Sequence, residues 1–379
     1  MSGKKKNAYG SQWAGVLIYA LVGAVCGFLM LDWFFYLDGS FLPTVLLYVL
    51  FFLGLALAMV IHTVIHEVGH LIFGLATGYR FISYRVFQFM WIKQGGRIRF
   101  TQMSVAGTGG QCLLAPPELK DGKIPFLLYN LGGALMNLLT GLTFLAGGLL
   151  CPPWTFGRTF LLLLAVFGFA FALMNGLPMS GGPVPNDGRN ILDMLRHPEA
   201  VRAFWLQMKI NELTSQGVRV RDMPAEWFGM PAPEQMTCVL ITTVAVLCCD
   251  RLKDEHRFAE ADREMARLLA DAPHLAGLHR ALLTCDRTFI ELITENRPEA
   301  LAELRTKDQQ RLTAAMKTSP TVLRTEYAYA LLQEKDEKKA AQLKQQFDKL
   351  AAVYPYPTEI EAERELIKIA EDLCTDPKS

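Results

Sequence analysis

Apolar residues are unevenly distributed along the chain, and their longest runs lie in its first half. Four runs approach or exceed the roughly 20 apolar residues that a helix needs to cross a bilayer. They are Trp13 to Leu31, Phe41 to about Ala76, Phe126 to Leu150 and Thr159 to Leu177. A fifth run, Met236 to Cys249, has 14 residues and continues into charged sequence, which indicates a buried helix of a water-soluble region. The pattern predicts an α-helical membrane protein with four spans and a soluble tail.

The charged residues follow the same division. Residues 1–190 contain 12 Lys or Arg and 6 Asp or Glu, whereas residues 191–379 contain 26 and 31. With a net charge of +1, the chain has no basic excess to neutralise phosphates, so we expect no nucleic-acid partner. We predict an N-terminal transmembrane helix with a short outer loop in residues 1–40, a membrane core in 41–190 and a cytoplasmic α-helical domain in 191–379.

Basic residues between the apolar runs predict the orientation. Lys4 to Lys6 precede the first run, and the 79–125 connection holds seven Lys or Arg. The connection after the first run has two Asp and no basic residue, and the 151–158 connection has only Arg158. Because basic loops stay in the cytoplasm, we expect a cytoplasmic N-terminus and a cytoplasmic tail. We expect a multi-pass protein in a bacterial plasma membrane, in contact with membrane lipid.

The 79–125 connection contains a strand pattern. Residues 86–93 and 97–105 are rich in β-branched and aromatic residues, and Gln94-Gly95-Gly96 between them is typical of a tight turn. We predict a membrane-associated β-hairpin in this cytoplasmic connection. Apolar side chains predict that it dips into the membrane surface: Phe87, Phe89 and Trp91.

The soluble tail contains two stretches of similar pattern. Met265, Leu268 and Pro273 recur 82 residues later as Phe347, Leu350 and Pro355. Apolar helix positions that end in Pro are similar to tetratricopeptide helical hairpins, although neither stretch has the full signature. We expect an all-α, solenoid-like tail that binds a regulatory protein.

The second apolar run contains a cluster of ionisable residues. His66 and His70 are one helical turn apart, so both imidazoles project from one face and can bind one zinc ion, with Glu67 beside them. Ionisable groups inside an apolar span are costly unless they are paired, bound to a ligand or hydrated, so this cluster indicates function. His62 lies about 12 Å along the axis from His70 at 1.5 Å per residue, too far to bind the same ion. We expect it to support a ligand or line a cavity.

A hydrolytic zinc site needs a third protein ligand and one open position. A Pro- and Gly-rich segment follows the fourth run, from Asn175 and Pro178 to Asn186, Asp187 and Gly188. Irregular backbone at membrane depth is tolerated only against protein or a wet cavity, which favours Asp187 as the ligand. The alternative is an ordinary turn at the end of a helix.

These motifs together resemble the site-2 protease family of zinc intramembrane metalloproteases. The resemblance covers residues 41–190: the His-Glu-Val-Gly-His motif at 66–70, the later Asn-x-x-Pro and Asp-Gly, and Gly132 to Asn137, which is similar to a Gly-Pro-x-x-Asn segment with Ala134 in place of Pro. There is one clear departure. Eight residues separate Pro178 from Asp187, where the family places its Asp about four residues after the Pro.

The resemblance implies a zinc-protease membrane core and an active site. Its one Zn²⁺ per chain would have three ligands, His66, His70 and Asp187. Glu67 would be the general base that activates zinc-bound water. Two side chains would contact the substrate backbone or the oxyanion, Asn137 and Asn175. The implied activity is hydrolysis of peptide bonds in or near transmembrane segments of membrane-protein substrates, as in regulated intramembrane proteolysis.

Two other functions remain open from the residues alone. A catalytically inactive scaffold or regulator that retains the protease fold is favoured by the altered Asp187 spacing and the large tail. The retained Glu67 argues against it, because a structural zinc site needs no base. A zinc transporter would need further polar residues in several spans, and few charged residues occur there.

Overall fold

A computed structural model shows a mainly α-helical chain with a small amount of β-structure. It describes residues 2–34, 41–105, 107–153, 155–179 and 185–375. The strands in these ranges are β1 (Arg80–Val86), β2 (Phe89–Gln94), β3 (Arg97–Gln102) and β4 (Gly110–Ala115). The predicted loop at 35–40 and the Ser-Gly-Gly-Pro-Val segment at 180–184 lie outside the described residues.

The chain divides into two compact units. The first, which we call the membrane unit, comprises Met1–Phe81, Gly109–Pro117 and Pro125–Arg196. The second, the helical unit, comprises Ile82–Thr108, Glu118–Ile124 and His197–Ser379. In this division, 1–40 and 41–81 share one unit, and the hairpin belongs to the unit that contains 197–379. The predicted domain boundaries at 40 and 190 stay predictions.

The membrane unit consists mostly of long helices. They are α1 (Ser2–Phe34), α2 (Phe41–Ala76), α3 (Phe126–Leu150), α4 (Phe156–Gly176) and the short α5 (Asp187–Arg196). Segments of three of them, Val45–Ala76, Phe126–Leu150 and Phe156–Gly176, are long and apolar enough to cross a membrane. These helices are consistent with the predicted helical membrane protein. The apolar part of α1, Gly15–Leu31, is shorter, so the fourth span and the orientation stay predictions.

Glycines bring α2, α3 and α4 into close contact. A Cβ atom on Gly132 of α3 would lie 2.6 Å from the carbonyl oxygen of Gly69 in α2, and one on Gly168 of α4 would lie 2.8 Å from the Cα of Gly141 in α3. Helices in membranes pack through such small residues because apolar burial alone does not drive their association. The backbone-to-backbone contacts fix the three helices around the polar residues of α2.

In the helical unit, the described residues from His197 onward contain helices and turns and no strand. The helices are α6 (Pro198–Ser215), α7 (Val239–Asp254), α8 (Phe258–Asp271), α9 (Gly277–Ile293), α10 (Pro298–Leu304), α11 (Lys307–Ala315), α12 (Pro320–Tyr329), α13 (Glu337–Ala351) and α14 (Pro357–Thr375). The predicted all-α tail is confirmed, while its likeness to tetratricopeptide repeats stays a prediction. The fifth apolar run forms α7, whose Cys248 and Cys249 are buried free thiols, as expected of a core helix.

The predicted hairpin forms, and a third strand extends it. β2 pairs antiparallel with β3 in a register that places Gln94 opposite Arg97, and Gly95 and Gly96 turn the chain with φ of 55° and 79°. β1, which the sequence reading missed, pairs antiparallel with the other edge of β2. The positive φ of Phe87, 52°, ends β1 and leads into β2.

The two faces of this hairpin differ. On one face, Met90 and Ile92 pack against Tyr356 of the tail, and the Thr101 hydroxyl donates a 2.6 Å hydrogen bond to the Val353 carbonyl. The opposite face has exposed apolar side chains, Phe89, Trp91, Ile98 and Phe100. The first face therefore ties the hairpin to the helical tail, and the second is left exposed.

We expect Gly132→Ala to destabilise the membrane unit by about 1–3 kcal/mol, because the added methyl group overpacks the contact with Gly69. The midpoint of thermal unfolding of the purified protein in detergent measures this. Gly157→Ala in α4 is the matched control, because a Cβ there meets nothing within 4 Å. Equal midpoints for the two variants would show that the α2–α3 contact is not tight.

Candidate metal centre

Two imidazole rings on α2 face each other across one helical turn. The Nε2 atoms of His66 and His70 lie 3.1 Å apart, and the residues are only 8% and 7% exposed. Residues i and i+4 share a helix face, so the spacing in the sequence produces this arrangement directly. Two buried nitrogen atoms this close require a shared proton or a cation between them.

Asp187, at the start of α5, completes the group. Its Oδ2 lies 3.2 Å from His66 Nε2 and 3.3 Å from His70 Nε2. Ligands about 2.0–2.1 Å from a tetrahedral zinc ion lie about 3.3 Å from one another. The three atoms therefore have the mutual spacing that a single tetrahedral ion requires, and these residues could hold a metal.

Asn186 fixes Asp187 in position. Its side-chain amide donates hydrogen bonds to the carbonyls of Met174 (2.6 Å) and Leu177 (2.7 Å) at the end of α4. Its Oδ1 accepts from the backbone N–H of Arg189 at 3.0 Å and so caps α5. Asn186 joins the end of one helix to the start of the next, which places Asp187 although its spacing from Pro178 departs from the family pattern.

The sequence reading missed this role of Asn186. The signal that could have identified it is local, because an Asn directly before a helical segment is a standard capping residue. Gly188 is also required here, because a Cβ atom on it would lie 2.3 Å from the carbonyl oxygen of Gly176. The Asp-Gly pair thus supplies both the carboxylate and the room for its backbone.

Asn137 of α3 orients the His66 ring. Its Oδ1 lies 2.9 Å from His66 Nδ1, and its amide nitrogen donates to His62 at both Nδ1 and the carbonyl oxygen, each at 3.0 Å. Since an amide oxygen only accepts, Nδ1 of His66 carries the proton and the lone pair of Nε2 points at Asp187. Asn137 therefore selects the tautomer of His66 that binds a metal.

The His70 ring is held in the same tautomer by different groups. Its Nδ1 donates a 2.8 Å hydrogen bond to the backbone carbonyl of Tyr129, so its Nε2 also faces Asp187. The Tyr129 hydroxyl in turn donates to the carbonyl of Cys112 in β4 at 2.8 Å. Such supporting bonds are typical of metal-binding histidines.

The other three polar residues that the sequence singled out, His62, Asn137 and Asn175, make different contacts in the structure. His62 contacts Asn137 and is not one of the three converging ligands, as the distance along α2 predicts. Asn137 is 0% exposed and its amide bonds to two histidines, and its substrate contact stays a prediction. Asn175 donates to the carbonyl of Phe171 in its own helix at 3.0 Å, and its substrate contact stays a prediction.

Glu67 lies next to this group and faces strand β4. The residue is 7% exposed, and a Cβ atom on Gly110 would lie 2.3 Å from Glu67 Oε1. A Cβ on Gly133 would likewise lie 2.5 Å from His66 Nδ1. Both glycines are needed because a larger residue would displace the carboxylate or the ring.

The charge of Asp187 is set by its neighbours. Burial opposes ionisation, but when no cation is bound and the imidazoles of His70 and His66 are protonated, their charge holds the pKa of the Asp187 carboxyl well below its usual range. The group is therefore an anionic carboxylate at neutral pH, the form that binds a cation.

Comparison with known proteins adds no relative: no protein-family model, curated protein or solved structure matches this chain.

We expect Asp187→Ala to abolish stable metal binding, because two imidazoles alone leave the ion without its charge-neutralising ligand. The zinc content per chain, measured by elemental analysis after a chelator wash, should fall from about one to near zero. Asp121→Asn, at an exposed position outside the group, should retain the wild-type content. Full zinc content in Asp187→Ala would exclude this residue as a ligand.

We expect Asn137→Leu to weaken zinc binding by about 10–100-fold while all three ligands remain, because the His66 tautomer is no longer selected. Competition with a fluorescent chelator measures the dissociation constant. Asn175→Leu is the matched control, since its amide bonds only to its own helix among the contacts described above. If both variants bind zinc as the wild type does, Asn137 does not orient the ring.

Proposed function

We propose that this protein is an intramembrane zinc metalloendopeptidase that hydrolyses peptide bonds in or near transmembrane segments of other membrane proteins. One observation carries the proposal. Three donor atoms at 3.1–3.3 Å from one another lie beside a buried glutamate, on helices of a unit whose segments are apolar enough to cross a membrane. The motif resemblance to site-2 proteases supports the same activity.

The donor set favours zinc. Two imidazole nitrogens and one carboxylate oxygen form a ligand set common in catalytic zinc sites, where three protein ligands leave a fourth position for water or substrate. When bound, zinc would supply the Lewis acidity that polarises a carbonyl and acidifies water. Both Nδ1 atoms already have partners, so the chain holds the rings in the tautomer that the ion needs.

Glu67 is the proton-transfer group in this proposal. It follows His66 directly in the helix, and its carboxylate is held against the backbone of Gly110. A glutamate so placed takes a proton from the attacking water and returns it to the nitrogen of the leaving amine.

The substrate must present an extended segment. Backbone carbonyls in a transmembrane helix are engaged in helical hydrogen bonds, so attack requires local unwinding. Strand β4 begins at Gly110, next to Glu67, and an extended segment of substrate can lie along such a backbone. The membrane unit thus provides a strand beside the proposed base.

An inactive scaffold is the main alternative. The altered spacing between Pro178 and Asp187 favoured this alternative. The Asp187 carboxylate nevertheless lies 3.2 Å from His66 and 3.3 Å from His70. Glu67 has no use at a purely structural metal site. A zinc transporter is disfavoured too, because no second group of three metal-binding residues occurs among the described residues.

We expect Glu67→Gln to lower proteolysis at least about 100-fold while zinc is retained, because the amide cannot accept the proton. Membranes of cells that express wild-type or variant protein are compared by quantitative mass spectrometry of new peptide termini in transmembrane proteins. A purified substrate found this way is then tested in proteoliposomes with and without chelator.

The metal content separates the possible results. Loss of cleavage with about one zinc per chain supports Glu67 as the base. Equal sets of new termini for wild type and Glu67→Gln would contradict the protease proposal and favour the scaffold.

A further inference from the structure

The helical unit encloses a cavity at some distance along the chain from the metal-binding residues. Its volume is about 340 Å³, within the lower range of pockets that hold small ligands. Helices α6, α7, α9 and α14 contribute to its wall, and apolar residues such as Leu283 and Leu366 alternate there with charged ones. No step of the proposed proteolysis uses this cavity.

A buried ion network forms part of the wall. Lys253 Nζ lies 2.8 Å from Asp286 Oδ2, and Arg324 Nε lies 2.7 Å from Glu363 Oε2. Arg324, which is 0% exposed, also pairs with Asp286. The two cations and the two carboxylates satisfy one another, which is the condition for burying such charges.

Two more carboxylates lie beside this balanced network. Asp250 lies 3.6 Å from Lys253, which is already committed to Asp286 at the shorter distance. Glu359 accepts a 3.0 Å hydrogen bond from the neutral Tyr354 hydroxyl. When all are ionised, the two cations of the network and these four carboxylates carry two negative charges in excess. The two carboxylates that the network leaves without a cation of their own, Asp250 and Glu359, both line the cavity.

The pKa values of Asp250 and Glu359 are both raised, as expected where negative charges outnumber positive ones. The Asp250 side chain is 37% exposed, but partial desolvation and the neighbouring Asp286 and Glu363 raise its pKa to about 6 despite Lys253. Glu359 is exposed, but partial desolvation at the cavity wall and the nearby Glu363 and Asp250 raise its pKa to about 7. A raised carboxyl pKa means that the anion lacks a compensating positive charge, which a cationic ligand would supply.

Unpartnered polar atoms are a second, independent sign of a ligand. Thr358 lines the cavity and is 8% exposed, and its Oγ1 has no hydrogen-bond partner among the described residues. Nδ1 of His279, across the same cavity, also has none there. Buried polar groups are nearly always hydrogen-bonded, so these atoms indicate a polar group that is missing from the chain itself.

We propose that this cavity binds an organic cation, a guanidinium or primary ammonium group, between Asp250 and Glu359. A metal ion fits less well, because these carboxylates are not part of any group of three converging ligands in the described chain. The Thr358 hydroxyl accepts a hydrogen bond from the bound cation. The cation is carried by a basic side chain of a partner protein or by a small molecule, and the test separates these sources.

The test measures binding to the full-length protein in detergent by isothermal titration calorimetry. The probe is a blocked Gly-Arg-Gly peptide, and the matched peptide contains citrulline, which has nearly the same shape without the charge. We expect the arginine peptide to bind at least about tenfold more tightly. Agmatine tests the small-molecule source: affinity equal to that of the peptide supports a free cation, and weaker binding supports a side chain of a partner.

Variants locate the binding site. Glu359→Gln and Asp250→Asn should each weaken binding of the arginine peptide at least about tenfold. Glu361→Gln is the matched control, because Glu361 lies on the same helix and is not among the residues that line the cavity, and it should leave the affinity unchanged. Thr358→Val should weaken binding without lowering the unfolding temperature, because the hydroxyl has no partner to lose. Circular dichroism checks that each variant is folded.

Three results would overturn the proposal: equal affinity for the arginine and citrulline peptides, no binding of either at about 1 mM, or unchanged affinity in Glu359→Gln. None of these depends on zinc or on proteolysis, so the cation site and the protease function can fail separately.

Discussion

The cost of burying charge among apolar helices governs the membrane unit. Two histidines, a glutamate and an aspartate lie where isolated charges are expensive, so each must be matched by a neighbour or by an ion. The structure meets this with hydrogen bonds that the rings donate to the Asn137 side chain and the Tyr129 backbone on one side, and with the Asp187 carboxylate on the other. The glycine contacts of α2, α3 and α4 follow from the same need, because only close helices can deliver these partners.

How much the sequence predicts depends on whether a feature is local. The pair His66 and His70 follows from the helical repeat alone, and the long apolar helices follow from composition. The tight turn at Gly95 and Gly96 is equally local. Asp187 could be predicted as a ligand only from the motif resemblance. Nothing in its own segment indicates how close it lies to His66 and His70, which are about 120 positions earlier in the chain.

Features that depend on tertiary packing were missed or misread. The bonds of Asn137 to His66 and His62 were missed, because which residue an amide in a helix contacts depends on the crossing of α2 and α3. The hairpin was expected to belong with the membrane core, and it packs with the tail because Met90 and Ile92 find an aromatic partner in Tyr356. Strand β1 escaped notice because its alternation is short and follows directly on a helix.

Because the hairpin packs against the tail, its folding during synthesis must wait for the tail. The segment that covers Met90 and Ile92 comes from residues 353–356, and the hydrogen bond between Thr101 and Val353 joins positions 252 residues apart. A ribosome must therefore synthesise this long intervening stretch before this face is shielded. During synthesis the hairpin has apolar side chains on both faces, which makes it a target for chaperones and, in prematurely terminated chains, a signal for degradation.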